Sequence, residues 1–289
     1  VTTEGVVYSE HLPVAMPNAV HWTRGAWVSP YLRAQKELRP VLLAVVDARS
    51  ARVYQYALGT LTPVESFHAH AHVDAPAHMG NAPRQHFHPG TRGMTGTDAA
   101  DRARREGTER MLRELMERLT QLATGDAGVL IGGMPAATRE AMLMLPDELG
   151  GRVALAPGLS RITPPSSLRR AAASGAAKLR RERDASIVTT AIGRASENGR
   201  GTTGELDVRD ALALGGVHML LLSLDFTERH PEAAEEMARL ALGQQAVVEI
   251  VSGDAADPLD GVGGTAALLR YATPSLRPTP ITATEVGAT

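Results

Sequence analysis

The feature that most constrains the fold is an apolar run, Pro40-Val41-Leu42-Leu43-Ala44-Val45-Val46, in which no position is polar. A run of this kind predicts a strand buried on both faces, as in sheets covered by helices on either side. A turn at 47–50 and an alternating segment at 51–56 predict that the chain returns as a hairpin. A third strand is predicted at 62–72. The chain therefore enters an α/β sandwich at residue 40.

A helix-strand-helix-strand pattern follows and completes a first domain at 40–157. Asp98 is a suitable N-cap for a helix whose apolar stripe is formed by Met111, Leu112, Leu115, Leu119 and Leu122. The remaining predicted elements are a strand at 128–131, a helix at 136–149 and a strand at 152–156. Before the first helix lies an aperiodic stretch, 74–98, of a length that is usually functional or disordered.

The Thr163-Pro164-Pro165 segment predicts a break between two domains. A second α/β domain is predicted at 158–273, followed by a disordered tail at 274–289. Its predicted elements are a long helix at 166–197, a flexible loop at 199–203, a helix at 208–214, a strand at 217–224, a helix at 232–242, and strands at 246–251 and 267–271. Residues 1–39 are interpreted as the connector from a missing or truncated N-terminal domain, or as an irregular arm on the next domain.

Composition excludes several classes of site. The chain has no cysteine, which excludes disulfides, zinc-thiolate sites and thiol nucleophiles and favours a cytoplasmic location. Aromatic residues make up only 3% of the chain, so the cores are expected to consist of aliphatic side chains and methionine. No apolar run approaches the roughly 20 residues that span a bilayer, so no membrane partner is expected. The net charge of −2 gives no overall attraction to nucleic acid, and no DNA partner is expected.

Six of the ten histidines lie between positions 68 and 88. They are His68, His70, His72, His78, His86 and His88. On a strand the first three would share a face, which a metal site could use. No carboxylate partner has ligand spacing, so a polar loop is preferred and no metal or cofactor is expected. A metal-dependent hydrolase built on this cluster remains an alternative.

Positive charge is concentrated in two places. Residues 161–183 hold seven basic side chains against one acid, and a second basic group surrounds the long loop. A solvated helix face would explain either group alone, whereas two such groups beside a glycine-containing loop favour an RNA partner. The candidate RNA-binding residues are Arg84, Arg92, Arg102, Arg104, Arg105, Arg169, Arg170, Lys178, Arg180, Arg181 and Arg183.

The order of several segments resembles one protein family. The segments are PVLLAVVDARSARVY, DAADRARREGTERML, GVLIGGMPAATREAML, RVALAPGL, GELDVRDALALGGVHMLLLS and VGGTAALLRY. Together they cover residues 40–272 and are similar to the bacterial homologues of archaeal and eukaryotic class-1 peptide-release factors and of the rescue factor Pelota. This baeRF-type group includes the ribosome-hibernation factor Balon.

The resemblance implies a central domain of RNase-H-like topology and a C-terminal α/β/α domain like the ribosomal proteins that bind kink-turn RNA. It also implies a Gly-Gly-Gln loop that reaches the peptidyl-transferase centre just before a helix. Gly96, Thr97 and Asp98 stand at the matching positions here. Thr97 lacks the conformational freedom of glycine, and Asp98 would place a carboxylate where a developing oxyanion needs a donor.

The resemblance thus implies a factor that binds the aminoacyl-tRNA (A) site of the ribosome in stress, hibernation or rescue without hydrolysing peptidyl-tRNA. The implied partners are ribosomal RNA, tRNA and a translational GTPase such as elongation factor Tu. The alternative is an enzyme, a release factor or peptidyl-tRNA hydrolase with a variant loop.

Overall fold

The computed structural model describes residues 25–70, 96–197 and 199–272, the isolated positions 5, 11, 14 and 20, and only the backbone of 96–100. Most of the long loop expected at 74–98 and the tail expected at 274–289 lie outside these residues. The chain divides into two compact units. The central unit is 39–179, and the C-terminal unit combines the described residues of 1–38 and 180–289. The division falls inside a helix, whereas the sequence had suggested 157/158.

The central unit is built on a five-stranded mixed sheet. Its strands are β1 (Val41–Val46), β2 (Ser50–Ala57), β3 (Thr60–His68), β4 (Gly128–Gly133) and β5 (Val153–Ala156). Their order is β3-β2-β1-β4-β5, with β2 antiparallel to its two neighbours and β1, β4 and β5 parallel. This is the expected RNase-H-like topology. All six residues of β1 are buried, which confirms the strand predicted from the apolar run.

Helices cover both faces of this sheet. They are α2 (Gly96–Leu122) and α3 (Pro135–Leu143) on one face and the first half of α4 (Pro165–Glu197) on the other. The predicted stripe of α2 packs on the sheet through Leu112, Leu115 and Leu119, which are fully buried. On the opposite face Gly175 lets α4 approach closely, because a Cβ there would stand 2.5 Å from a methyl carbon of Leu130.

The C-terminal unit is a second α/β sandwich. Its strands are β6 (Gly201–Thr203), β7 (Val217–Ser223), β8 (Val247–Val251) and β9 (Thr265–Leu269), in the order β6-β9-β7-β8. Helices α5 (Glu205–Ala213), α6 (Leu224–Arg229) and α7 (Pro231–Gly243) pack on one face, and the second half of α4 with α8 (Asp257–Asp260) packs on the other. The prediction of a flexible loop at 199–203 was wrong, because three of these residues form β6, which pairs antiparallel with β9.

A further helix, α1 (Ser29–Leu38), was not predicted. The buried Glu235 carboxylate accepts hydrogen bonds from the backbone N–H groups of Val28 (2.7 Å) and Ser29 (3.0 Å), at the helix start. Lys36 donates to Asp184 (2.7 Å) and to the carbonyl of Ile250 (2.8 Å). The described part of 1–39 thus includes a helix that the sequence analysis did not predict. This helix is fixed to the C-terminal unit.

Some predicted boundaries also change. Helix α2 begins at Gly96, so Asp98 lies in its first turn and is not the N-cap. Helix α3 ends at Leu143, and a separate 3-10 turn at Asp147–Leu149 follows Pro146. Strand β9 is Thr265–Leu269, earlier than the predicted 267–271. Among the described residues, no helix combines the length and apolar character needed to cross a membrane.

Candidate ribonucleic acid interface

The carboxyl ends of β1 and β4 meet at one edge of the central sheet. There the carbonyl of Val46 accepts a hydrogen bond from the N–H of Met134 (2.8 Å), and Gly133 has a φ of +128°. A Cβ on Gly133 would stand 2.0 Å from the Val46 carbonyl oxygen, so this close approach needs glycine. In open α/β sheets, ligands bind outside the carboxyl ends of strands, where the order reverses.

A cleft of about 800 Å³ lies at this edge. We call it the carboxyl-end cleft. Its wall is formed by the β1–β2 turn, the end of β3, the first described turns of α2 and the start of α3. The Thr108 hydroxyl of α2 donates to the Ala48 carbonyl (2.8 Å), which ties the helix to the turn. The cleft is therefore bounded by connections between elements, where binding residues commonly lie.

Charges along this cleft are mixed. Arg49, Arg104 and Arg105 line it together with three acids, Asp101, Glu109 and Glu140. Arg104 pairs with Asp101 at 2.7 Å. Of the predicted RNA-binding group near the loop, Arg102, Arg104 and Arg105 are exposed, and Arg84 and Arg92 lie outside the described residues. The positive charge of the accessible arginines in this cleft is therefore offset by an equal number of acidic side chains.

The positions that the resemblance predicts to match the Gly-Gly-Gln loop lie at the start of α2. Gly96, Thr97 and Asp98 form its first residues, and their side chains are outside the described part. Their backbone joins the helix that carries Arg102, Arg104 and Arg105. The predicted loop positions and these three arginines are thus placed on one continuous helix.

The candidate RNA-binding residues between 169 and 183 lie on α4, and they differ in environment. Arg169, Arg170 and Arg181 are exposed, and no hydrogen bond or ion pair joins any of them to a described residue. Lys178 is also exposed, Arg180 is half-buried, and both Lys178 and Arg183 have partners. Three of these side chains are therefore accessible to a large anionic partner.

Arg183 instead belongs to a buried network in the C-terminal unit. It lies 3.7 Å from Glu249, whose side chain is only 2% exposed. Lys36 approaches the same carboxylate at 4.0 Å and Asp184 at 2.7 Å. This network was not predicted, because Lys36, the Arg183–Asp184 pair and Glu249 are far apart in the chain. Its role in fixing α1 makes Arg183 a weak candidate for RNA contact.

Arg209 is another cation already engaged by the protein. It bonds Glu236 at 2.7 Å and Glu205 at 3.0 Å. The hydrogen bond to Glu236 is the main cause that raises the pKa of Arg209 above its ordinary value. The guanidinium is thus held as a cation between two carboxylates.

The histidine cluster is only partly described. His68 ends β3 and His70 follows it, both exposed, whereas His72, His78, His86 and His88 lie outside the described residues. Within the described ranges, no group of three or more histidine or acidic side chains could hold a metal ion. The two visible histidines therefore form no metal site by themselves.

Residues 27–176 match the sequence model of the bacterial archaeo-eukaryotic release factor family 10. This match covers more than half of the chain and includes the whole first sheet and the start of α2. The chain belongs to this family. No curated protein matches its sequence.

Solved structures share the fold of this family 10 protein. A model of ribosome-bound archaeal Pelota and ABCE1 matches with a TM-score of 0.53 at 17% identity, covering 81% of this chain and 62% of Pelota's. Dom34 of S. cerevisiae, described as a translation termination-like factor interacting with Hbs1, matches with a TM-score of 0.51 at 12% identity, covering 83% and 66%. The family 10 chain therefore spans less than two thirds of either length.

Proposed function

We propose that this protein is a translation factor that binds the ribosomal A site in stress, hibernation or rescue and does not hydrolyse peptidyl-tRNA. The observation that carries the proposal is the sequence at the start of α2. The family match includes this segment. The resemblance predicts that Gly96, Thr97 and Asp98 occupy the positions of the Gly-Gly-Gln motif of release factors.

The chemistry of ester hydrolysis supports the loss of activity. The transition state develops negative charge on the carbonyl oxygen, which neutral or positive donors stabilise. A carboxylate at position 98 adds negative charge there at neutral pH. Threonine at 97 also restricts backbone conformations that glycine allows. Binding to the ribosome requires neither of the lost features.

The accessible basic side chains support a ribosomal partner. Arg102 and Arg105 lie on α2, and Arg169, Arg170 and Arg181 lie on α4, all exposed. Arginine suits phosphate contacts, because its planar fork can donate two parallel hydrogen bonds to phosphate oxygens. With a net charge of −2, the protein would depend on these local groups to approach RNA.

A translational GTPase such as elongation factor Tu is the second partner that we propose. The fold relative Dom34 interacts with Hbs1, and archaeal Pelota occurs in a ribosome-bound assembly with ABCE1. By analogy, the GTPase would deliver this protein to the A site beside ribosomal RNA and tRNA. This part of the proposal rests on fold analogy.

Co-sedimentation with purified ribosomes tests the binding. The protein should pellet with ribosomes whose A site is empty and should be displaced by saturating aminoacyl-tRNA delivered to the same site. Binding should weaken steeply as salt rises. Equal pelleting with A-site-filled ribosomes would place the protein elsewhere and exclude the A-site proposal.

Release of labelled peptide from ribosome-bound peptidyl-tRNA tests the chemistry. We expect a rate near background, because loss of one well-placed donor alone costs about 10²–10³ in rate. The description of the family as release factors favours the second candidate, a peptide-release enzyme with a variant loop. Efficient release by the unmodified protein would establish that candidate.

A further inference from the structure

A second cleft lies on the α4 face of the central sheet. It measures about 620 Å³, and we call it the arginine cleft because Arg52, Arg161 and Arg169 line it. Arg52 comes from β2, where Ala51 and Val53 face the α2 core, so the alternation of the strand turns Arg52 to the opposite face. The carboxyl-end cleft adjoins α2 and α3, so the two clefts are separate.

The three arginines sit on well-defined backbone. Arg52 is in a paired strand, opposite Val45 on one side and Ser66 on the other. Arg161 is inside a tight turn, closed by a hydrogen bond from the N–H of Thr163 to the carbonyl of Ser160 (3.0 Å). A second bond, from the N–H of Ser160 to the Thr163 hydroxyl (2.8 Å), reinforces it. Arg169 is in the second turn of α4.

The charge of this cleft is of one sign. Among the described residues, no acidic side chain lines it, and no hydrogen bond or ion pair is made by the side chains of Arg52, Arg161 or Arg169. All three are exposed. The wall also carries hydroxyl groups of Thr60 and Ser166, which can donate to an anion. The carboxyl-end cleft differs in this respect, since three acids there balance three arginines.

We propose that the arginine cleft binds the phosphodiester backbone of RNA. Three arginines that line one cleft without an acid give it a positive potential that attracts an anion. A guanidinium also fits phosphate oxygens in two-bond geometry. The cleft is open and its arginines come from three separate segments, which suits an extended chain of phosphates. The choice of RNA as the source of phosphate rests on the proposed function.

Binding of a labelled single-stranded 12-nucleotide RNA, measured by fluorescence anisotropy with the full chain, tests this site. The test variant is Arg52→Ala with Arg161→Ala and Arg169→Ala. The matched control removes three other exposed arginines of the central unit that line neither cleft and have no described partner, Arg110, Arg113 and Arg139. A third variant replaces the three cleft arginines by lysine and keeps the charge.

We expect the cleft variant to bind RNA at least about tenfold more weakly at ~0.1 M salt, and the control to stay within about twofold of the parent. The slope of log K against log salt should fall by about 2, because each lost phosphate contact on a single strand removes about 0.7. The lysine variant should recover the slope and part of the affinity. Thermal unfolding should be unchanged, which separates loss of the site from loss of the fold.

Two results would overturn the proposal. One is equal weakening in the cleft variant and the control, which would mean a general charge effect. The other would come from equilibrium dialysis with pyrophosphate. If the cleft variant loses pyrophosphate binding but still binds RNA, the cleft is the site of a small phosphorylated ligand. The assay contains no ribosome, so its outcome is independent of A-site binding.

Discussion

One set of charged residues in each unit shows a contrast between buried, paired charges and exposed charges without described partners. In the C-terminal unit, Asp184, Glu235 and Glu249 are buried, and each is engaged by a cation or by backbone N–H groups. In the central unit, Arg52, Arg161 and Arg169 are exposed, and the described residues offer them no acidic partner. Both units are α/β sandwiches, so the difference does not come from architecture.

The difference indicates which charges hold the structure together and which are free to bind. A buried charge is retained only when it is paired, because removing its partner leaves it uncompensated at a cost of several kcal/mol. An exposed arginine without a partner contributes little to stability and keeps its donors available. Substitutions in the first class should therefore change the free energy of unfolding. Those in the second class should change binding only where the arginines belong to a binding surface.

Reversal of exposed charge on α4 should have the largest effect. The variant carries Arg169→Glu, Arg170→Glu and Arg181→Glu, and ribosome co-sedimentation should weaken by on the order of 10²-fold or more, because three phosphate contacts become repulsions. The free energy of unfolding should change by less than about 0.5 kcal/mol per site. Reversal of Arg113, Arg139 and Arg194, also exposed and without described partners, is the control. Equal losses in both variants would reduce the α4 group to a solvated face.

Removal of Lys36 should lower the free energy of unfolding, in contrast to the α4 reversal, which should mainly weaken ribosome binding. Lys36→Ala leaves Asp184 and Glu249 buried with one cation fewer, and should lower the free energy of unfolding by about 3 kcal/mol. Urea unfolding followed by circular dichroism measures this. Arg33→Ala, at an exposed position of the same helix, should cost less than about 0.5 kcal/mol. A Lys36→Ala protein as stable as the parent would remove the distinction between the two classes of charge.

A smaller loss is expected at the start of α1. Glu235→Gln keeps one acceptor oxygen for the N–H groups of Val28 and Ser29 but loses the carboxylate charge at a helix N-terminus. The expected cost is about 1–2 kcal/mol, seen as faster hydrogen exchange across α1. Glu236→Gln next to it, whose side chain is 52% exposed in its pair with Arg209, should leave that exchange unchanged. Equal exchange in both variants would mean that Glu235 does not hold α1.

The sequence alone could predict the elements that are defined by local patterns, but not those held by contacts distant in the chain. Strand β1 follows from its apolar run and the stripe of α2 from its spacing, because both patterns are local and buried. Helix α1 could not be predicted in this way. It is ten residues long, and its ends are held by Glu235 and Lys36 contacts that span about two hundred residues of chain. Strand β6 has three residues, begins with glycine and pairs only at long range.

The candidate site residues also differ in whether the sequence alone could predict them. The basic group of α4 can be recognised in the sequence because its members all lie between residues 169 and 183. Arg52 looks like an ordinary solvent-facing residue of a hairpin, and only the tertiary structure places it beside Arg161 and Arg169. Arg183 is the opposite example. Its position in the sequence predicts an RNA-binding residue, whereas in the structure it lies beside the buried Glu249.

The smallest effect is expected at Asp98, at the start of α2 in the central unit. Because the helix begins at Gly96, Asp98 is a first-turn residue, and its charge interacts favourably with the helix dipole by about 0.3–1 kcal/mol. Asp98→Ala and Asp98→Asn should therefore each lower the free energy of unfolding by no more than this, and the difference should shrink in high salt.

Neither Asp98 change should alter peptide release, which should be at background in the parent as well. The double change Thr97→Gly with Asp98→Gln creates the Gly-Gly-Gln sequence that the resemblance predicts at 96–98. It should raise release above background, because it supplies a donor and glycine backbone freedom. The measurement is the rate of labelled peptide release from stalled ribosomes. Release by the parent that disappears in Asp98→Ala and persists in the double variant would make Asp98 a catalytic residue, and the central unit would then carry an active site as well as a binding surface.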